Sequence, residues 1–85
     1  MHDAPSVVDR ERDVFVTSLG AMIKIAHGRR MRSERGAPWN VFDGSELIEH
    51  YDAFEDAVDL ARKVAAKSGR PAWMSSDGVT FELVK

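Results

Sequence analysis

The chain contains no cysteine among its 85 residues. This excludes disulfides, zinc sites built on cysteine, iron–sulfur clusters and thiol catalysis. Long apolar runs are also absent. The longest mostly apolar stretch, residues 14–26, is interrupted by Lys24 and is shorter than the ~20 residues of a membrane-spanning helix. We therefore expect no membrane partner.

The composition predicts one small globular domain. Apolar residues make up 44% of the chain and charged residues 31%, which is typical of a folded protein rather than a disordered one. Residues 1–5 lack the basic flank and the apolar run of a secretory signal peptide. We expect a cytoplasmic protein with a flexible tail over residues 1–12 and a single domain over residues 13–85.

Sequence motifs of the common catalytic and nucleotide-binding kinds are missing. His2, His27 and His50 lie too far apart for a local metal-binding motif such as His-x-x-x-His. The glycine patterns of phosphate-binding loops and the Gly-x-Ser-x-Gly turn of acyl-transfer enzymes are also absent. We assign no catalytic residue, no metal ligand and no cofactor, and an enzyme is the least favoured class of function.

Residues 53–67 carry the clearest secondary-structure signal, that of an amphipathic helix. Asp52 is placed to cap the first turn, and Glu55 is spaced as the reciprocal partner of that cap. Gly69 and Pro71 favour termination of the helix. Apolar side chains recur at the spacing of one helical face. They are Phe54, Ala57, Val58, Ala61, Val64 and Ala65.

A β-hairpin is predicted on each side of this helix. The first joins residues 39–42 and 46–51 through an Asp-Gly pair, which tolerates the backbone angles of tight turns. The second joins residues 72–74 and 79–84 through a Ser-Ser-Asp-Gly turn. Together these elements predict an α+β fold, with one small antiparallel sheet of four to six strands packed against one principal helix.

Two interpretations of the N-terminal third remain open. Residues 14–17 and 22–26 are rich in β-branched side chains, and a turn at Gly20 would make them a third hairpin. Alternatively, apolar residues from Val8 to Ala26 recur at helical spacing, with Ser6 available as a cap. We favour the strands.

The sequence contains more large apolar side chains than one core between sheet and helix is expected to bury. The core expected between sheet and helix consists of Trp39, Phe54, Trp73 and Phe81. The residues left for the opposite face of the sheet are Phe42, Leu47, Tyr51 and Val84. An exposed apolar face of this kind usually marks an interface. This predicts a homodimer that buries the second face or an edge strand.

Charge is segregated along the chain although the net charge is only −2. Residues 36–61 contain no lysine or arginine, whereas residues 29–35 contain four arginines and one glutamate. The arginines are Arg29, Arg30, Arg32 and Arg35. The carboxylates of the acidic segment are Asp43, Glu46, Glu49, Asp52, Glu55, Asp56 and Asp59.

Each charged segment suggests a partner. The arginines could form a loop that binds a nucleic-acid backbone while Trp39 stacks on a base, although a net charge of −2 is not typical of a dedicated nucleic-acid binder. The acidic segment could contact a second copy or a basic patch on another protein. The candidate residues of that interface are Glu49, Asp52, Glu55, Asp56, Asp59, Phe42 and Tyr51. Alternatively, both segments are solvated surface, with the arginines paired to the chain's own carboxylates.

Three short motifs occur together in the C-terminal half. They are the strand Trp39-Asn40-Val41, the helix that opens Asp52-Ala53-Phe54-Glu55-Asp56-Ala57, and the turn Asp77-Gly78-Val79. In this combination, residues 39–84 resemble a family of small bacterial and phage proteins catalogued as a domain of unknown function, with Asp52 where that family has threonine. The resemblance implies the same fold and a role as an accessory protein or a modulator of host machinery. It implies no reaction.

The leading hypothesis is therefore a non-enzymatic protein-interaction or accessory module that self-associates. Nucleic-acid binding through residues 29–35 is the alternative, and a small enzyme is the third.

Overall fold

The computed structural model describes residues 12–24, 30–33 and 35–84, and their fold is α+β as predicted. Except for Arg12, the expected flexible tail lies outside the described residues. The elements are β1 (Val14–Ser18), β2 (Met22–Lys24), β3 (Arg30–Arg32), β4 (Trp39–Asp43), β5 (Glu46–Tyr51), α1 (Phe54–Ser68), β6 (Ala72–Ser75) and β7 (Glu82–Leu83). Five strands form one sheet in the order β5-β4-β1-β6-β7, and β2 and β3 form a separate two-stranded sheet.

Strand β1 is the centre of the larger sheet. It pairs antiparallel with β4 and parallel with β6, so that Phe15 lies opposite both Phe42 and Trp73. The pairs β4–β5 and β6–β7 are antiparallel. The strand interpretation of residues 14–17 and 22–24 is confirmed, but the hairpin expected between them is wrong, because β2 pairs with β3. Residues 25–26 and Val8 lie outside the described residues.

The hairpin of β4 and β5 is confirmed with a small shift at its turn. Asp43 is still paired with Glu46, so the turn consists of Gly44 and Ser45, and Gly44 adopts a φ of 65°. The register slips by one residue between Val41 and Phe42. Such an irregularity twists an edge strand such as β5 and makes it a poorer template for pairing with another chain.

Helix α1 begins one residue later than predicted. Ala53 occupies the N-cap position in an extended conformation and makes no side-chain capping bond, so the assignment of Asp52 as the cap is wrong. The helix ends at Ser68, one residue later than predicted, and the predicted stop at Gly69 is confirmed. Gly69 adopts the left-handed conformation, and its N–H donates to the carbonyl of Ala65 at 2.8 Å. Among the described residues, no helix has both the length and the apolar character that crossing a bilayer requires.

Side chains alternate between the two faces of the sheet and form two cores, because successive residues of a strand point in opposite directions. The helix-side core consists of Val14, Val16, Val41, Ala57, Ala61 and Ala72. The second core, on the other face, consists of Phe15, Ile23, Met31, Phe42 and Trp73. Trp73 and Phe81 belong to this second core, so the single core expected between sheet and helix is wrong for both residues.

The two-stranded sheet covers the second face. Ile23 and Met31 point from β2 and β3 onto Phe15 and Phe42, and Phe42 is only 4% exposed. Leu47 packs on this face as predicted, whereas Tyr51 and Val84 pack on the helix side. The bare apolar face from which a homodimer was inferred is therefore occupied within the chain itself. The homodimer stays a prediction, but without that premise.

Hydrogen bonds around Ser33 fasten the two-stranded sheet to the end of β1. The hydroxyls of Ser33 and Thr17 are bonded to each other, and both residues are buried. The N–H of Gly20 donates to the carbonyl of Ser33 at 2.6 Å, and the N–H of Ser33 donates to the carbonyl of Ala21 at 2.9 Å. This position of β2 and β3 is therefore held by polar contacts as well as by the apolar core.

Candidate functional site

A cleft of about 400 Å³ lies where the starts of β4 and α1 meet the hairpin of β6 and β7. Its residues are Trp39, Phe54, Met74, Ser75, Ser76, Thr80 and Glu82. We call this cleft the aromatic groove. It is our candidate functional site because it combines an accessible apolar surface with a few polar groups, as ligand sites usually do.

The end of strand β1 brings the two sides of the aromatic groove together. Ser18 lies opposite Trp39 in β4, and the preceding Thr17 lies opposite Ser75 in β6. In addition, the Ser18 hydroxyl donates a hydrogen bond of 2.5 Å to the carbonyl of Ser76. Strand β1 therefore joins β4 to β6 and places Trp39 beside the β6–β7 hairpin.

Trp39 and Phe54 form the aromatic side of the groove. Their ring centroids are 4.7 Å apart and their planes are inclined by 57°. Both side chains and the neighbouring Met74 are half-buried, so each packs on the helix-side core and keeps part of its surface accessible. Such a surface can receive an apolar group or the stem of a long side chain.

The opposite side of the groove is polar and is shaped by Asp77. One oxygen of Asp77, Oδ1, accepts the N–H groups of Thr80 at 2.9 Å and Val79 at 2.8 Å, and the hydroxyl of Ser75 at 3.1 Å. The hydrogen bonds from Thr80 and Val79 lower the pKa of Asp77 from its ordinary value of 3.8. The ionised carboxylate therefore fixes the loop that carries Thr80.

Glu82 supplies the charge of the groove. It lies opposite Met74 in the β6–β7 pair, and its side chain is exposed. Of the described residues that line the groove, Glu82 is the only one that carries a charge. The groove therefore presents an aromatic and thioether surface beside a single carboxylate.

Arg30 and Arg32 lie on the other side of the sheet from Trp39. Arg30 and Arg32 are exposed on strand β3, so the predicted arginine loop is wrong for these positions. Strand β3 covers the second face, whereas Trp39 packs on the helix-side core. A joint site of a stacking Trp39 with Arg30 or Arg32 is therefore wrong, whereas nucleic-acid binding through residues 29–35 stays a prediction. Arg29 lies outside the described residues.

The acidic segment forms an exposed surface around the start of α1 and the β4–β5 hairpin. Its interface candidates that are exposed are Glu49, Asp52, Glu55, Asp56 and Asp59. Phe42 is buried in the second core and is not accessible to a partner, and Tyr51 is half-buried. Asp59 forms an exposed ion pair with Arg62 at 3.7 Å, a kind of contact that adds little stability.

A second, more open cleft of about 610 Å³ brings one arginine near the acidic segment. Arg35 lines it together with His50, Tyr51, Asp52 and Asp56. One member of the basic segment therefore shares a cleft with two carboxylates of the same chain. Within the described ranges, no group of three or more metal-ligating side chains is assembled here or elsewhere.

Most residues of the aromatic groove were missed by sequence analysis. The predicted hairpin of residues 72–74 and 79–84 already placed Met74 near Glu82, but no local signal connected that hairpin to Trp39. The missing information was the insertion of β1 between β4 and β6, which is a contact between distant parts of the chain.

Comparisons of this chain with protein-family models, curated protein sequences and solved structures found no match. The resemblance of residues 39–84 to small bacterial and phage proteins therefore stays a prediction.

Proposed function

We propose that this chain is a non-enzymatic protein-interaction module that binds an arginine or lysine side chain of a basic partner segment in the aromatic groove. The observation that supports the proposal is that the Trp39–Phe54 aromatic pair and the Glu82 carboxylate line one cleft. A long cationic side chain is the ligand that uses both features together.

The chemistry of such a side chain matches the two sides of the groove. The methylene stem of arginine or lysine can pack on Met74 and the aromatic rings while its charged end reaches a polar group. A cation near an aromatic ring gains about 0.5–2 kcal/mol, depending on how far it is desolvated. The Glu82 carboxylate can accept a charge-assisted hydrogen bond from the same cation.

The charges near the groove favour a basic partner. Glu55 and Asp56 directly follow Phe54 and are exposed in the first turn of α1. Carboxylates beside a binding site accelerate the approach of a basic segment and disfavour an acidic one. The proposed partner is therefore a basic segment of another protein, and binding to a second copy of this chain is an outcome that the test below separates.

Catalysis is not proposed for the groove. The hydroxyl of Ser75 lies 3.1 Å from Asp77, which resembles a nucleophile beside a base. However, Asp77 accepts two backbone N–H groups with the same oxygen, and its lowered pKa makes it a weak base. The Ser75 hydroxyl also accepts the N–H of Gly78 at 2.7 Å. These contacts stabilise the loop and leave the pair unsuited to attack a substrate.

The test is a titration of the protein with blocked arginine, followed by the NMR signals of the two indole N–H groups. Citrulline, which is nearly isosteric but uncharged, is the ligand control. We expect arginine to shift Trp39 and not the buried Trp73, and we expect citrulline to bind more weakly. Glu82→Gln should weaken arginine binding by about tenfold, because glutamine can still accept a hydrogen bond but lacks the negative charge that strengthens it.

The matched control is Glu46→Gln, which removes the same charge at the start of β5. Glu46 pairs with Asp43, at the end of β4 that is farther from Trp39. This variant should bind arginine like the unmodified chain. Equal binding of citrulline and arginine, or equal weakening by both substitutions, would contradict the proposal. If light scattering shows a dimer that Glu82→Gln dissociates, a second copy is the partner instead of another protein.

A further inference from the structure

The outer face of the two-stranded sheet is basic. Its strands alternate, so that Ile23 and Met31 are buried while the residues on either side of each are exposed. The exposed residues are Met22, Lys24, Arg30 and Arg32. These two strands contain no carboxylate.

The register of β2 and β3 sets the spacing of the cations. Lys24 lies directly opposite Arg30, and Arg32 follows two residues along β3 on the same face. Neighbouring strands are about 4.8 Å apart and two residues of a strand span about 6.7 Å, so the three cations form one compact group. Because the two-stranded sheet is packed on the second core, the backbone positions of these cations are fixed.

An apolar rim adjoins these cations. Val79 is 77% exposed and Met22 is 45% exposed, and both line a hollow of about 160 Å³ together with Lys24 and Arg30. Gly78 also lines the hollow and brings the β6–β7 loop against the backbone of Met22. The surface therefore offers apolar contacts directly beside two positive charges.

We infer that this face is a second binding site, separate from the aromatic groove, for the backbone of single-stranded nucleic acid. Arginine and lysine bind phosphate groups, and Met22 and Val79 can contact bases, which a single strand leaves unpaired. The described residues of this face include no aromatic side chain, so it has no stacking platform for individual bases. Contacts to phosphate groups carry no direct sequence information, so we expect binding to be independent of sequence.

The number of cations predicts a salt dependence. Each neutralised phosphate of a single strand contributes about −0.7 to the slope of log affinity against log salt. Contacts from Lys24 and Arg30, with Arg32 as a third, give a slope of about −1.4 to −2.1. The affinity should fall about 7- to 20-fold between about 50 mM and 200 mM salt.

The experiment measures binding of a fluorescent oligothymidylate by anisotropy at several salt concentrations. The test variant is Lys24→Gln with Arg30→Gln, which removes two charges from the face. The matched control is Lys63→Gln with Lys67→Gln, which removes two exposed charges from α1 on the opposite side of the sheet. Circular dichroism and thermal unfolding establish that both double variants are folded.

We expect the first double variant to lose most of the affinity and the salt slope, and the second to keep both. Equal losses in the two variants would overturn the inference, because they would show an effect of net charge alone. Absence of binding at low salt would also overturn it. Tighter binding of poly-glutamate than of oligothymidylate would instead assign the face to an acidic protein. None of these results depends on Glu82, so this site and the aromatic groove fail or succeed separately.

Discussion

The indole Nε1–H of Trp73 donates a hydrogen bond of 2.9 Å to Oδ2 of Asp13, and both side chains are buried. Asp13 directly precedes β1, whereas Trp73 lies in β6, 60 residues further along the chain. The bond therefore joins the two parallel strands of the sheet at one end of the second core. A buried carboxyl oxygen needs such a partner, because its loss of contact with water is costly.

Trp73→Phe should lower the free energy of unfolding by about 1–3 kcal/mol, because it removes the donor to a buried acceptor in addition to some packing. Urea unfolding followed by circular dichroism measures the change. Trp39→Phe is the control, since Trp39 is half-buried in the groove and a phenyl ring retains most of its contacts. Equal losses in the two variants would contradict a special contribution of the Asp13 bond.

Gly78→Ala should destabilise the chain by more than about 2 kcal/mol. Gly78 adopts a φ of +79°, and a Cβ there would lie 2.7 Å from the carbonyl carbon and 2.9 Å from the nitrogen of Met22. The substitution adds a backbone collision to the cost of a left-handed conformation, which is about 1–2 kcal/mol. Gly20→Ala isolates that second cost, because Gly20 has a φ of +84° and open space around it. Thermal unfolding of both variants makes the comparison, and equal losses would exclude the contact with Met22.

Acid should loosen the β6–β7 loop only below the ordinary pKa of an aspartate. The hydrogen bonds from Thr80 and Val79 lower the pKa of Asp77 from 3.8 in the folded chain. The ionised form therefore stabilises the loop above pH 3.8, and this stabilisation is lost as the pH falls through the lowered pKa. The amide N–H signals of Val79 and Thr80, followed by NMR during an acid titration, should report the change. Asp77→Asn should abolish it, and a midpoint above 3.8 in the unmodified chain would refute the prediction.

Phe42 should behave as a core residue rather than as a contact for a second copy. Phe42→Ala removes a side chain that is 4% exposed, and we expect a loss of about 3–5 kcal/mol, which is comparable to the total stability that a single core of this size supplies. Phe42→Leu is the milder variant. It should lower the stability and leave the oligomeric state in light scattering unchanged. A variant that keeps its stability but dissociates a dimer would restore Phe42 to an interface.

Local signals predicted much of the fold. The helical spacing from Phe54 to Ala65, the stop at Gly69 and the turn at Gly44 are determined within a few residues, and all three are present in the structure. The N-cap was predicted one residue too early, at Asp52, because an aspartate side chain can cap a helix and the side chain of Ala53 cannot. The actual start of the helix depends on where the chain leaves β5. The strands β1 and β2 were also predicted from their β-branched residues.

Strand partners and the covering of the second face could not be derived in this way. An apolar strand such as β1 shows that it is buried on both faces, but its sequence contains no information about which strands lie beside it. The interpretation of residues 29–35 as a charged loop overlooked Met31, the buried residue between Arg30 and Arg32. That alternation predicts a strand with one face on a core, and it would have indicated the exposed basic face of β3.

The position of β1 determines when this chain can fold. The middle strand of the sheet is made before the other described strands, but its neighbour β6 follows only after α1, and the bond between Asp13 and Trp73 closes a loop of 60 residues. Contacts across such long separations slow folding, because the chain must lose much conformational entropy before they form. Until β6 is available, β1 has one unpaired edge, and this strand contains the apolar residues Val14, Phe15 and Val16. The incomplete chain is therefore the form most prone to aggregate.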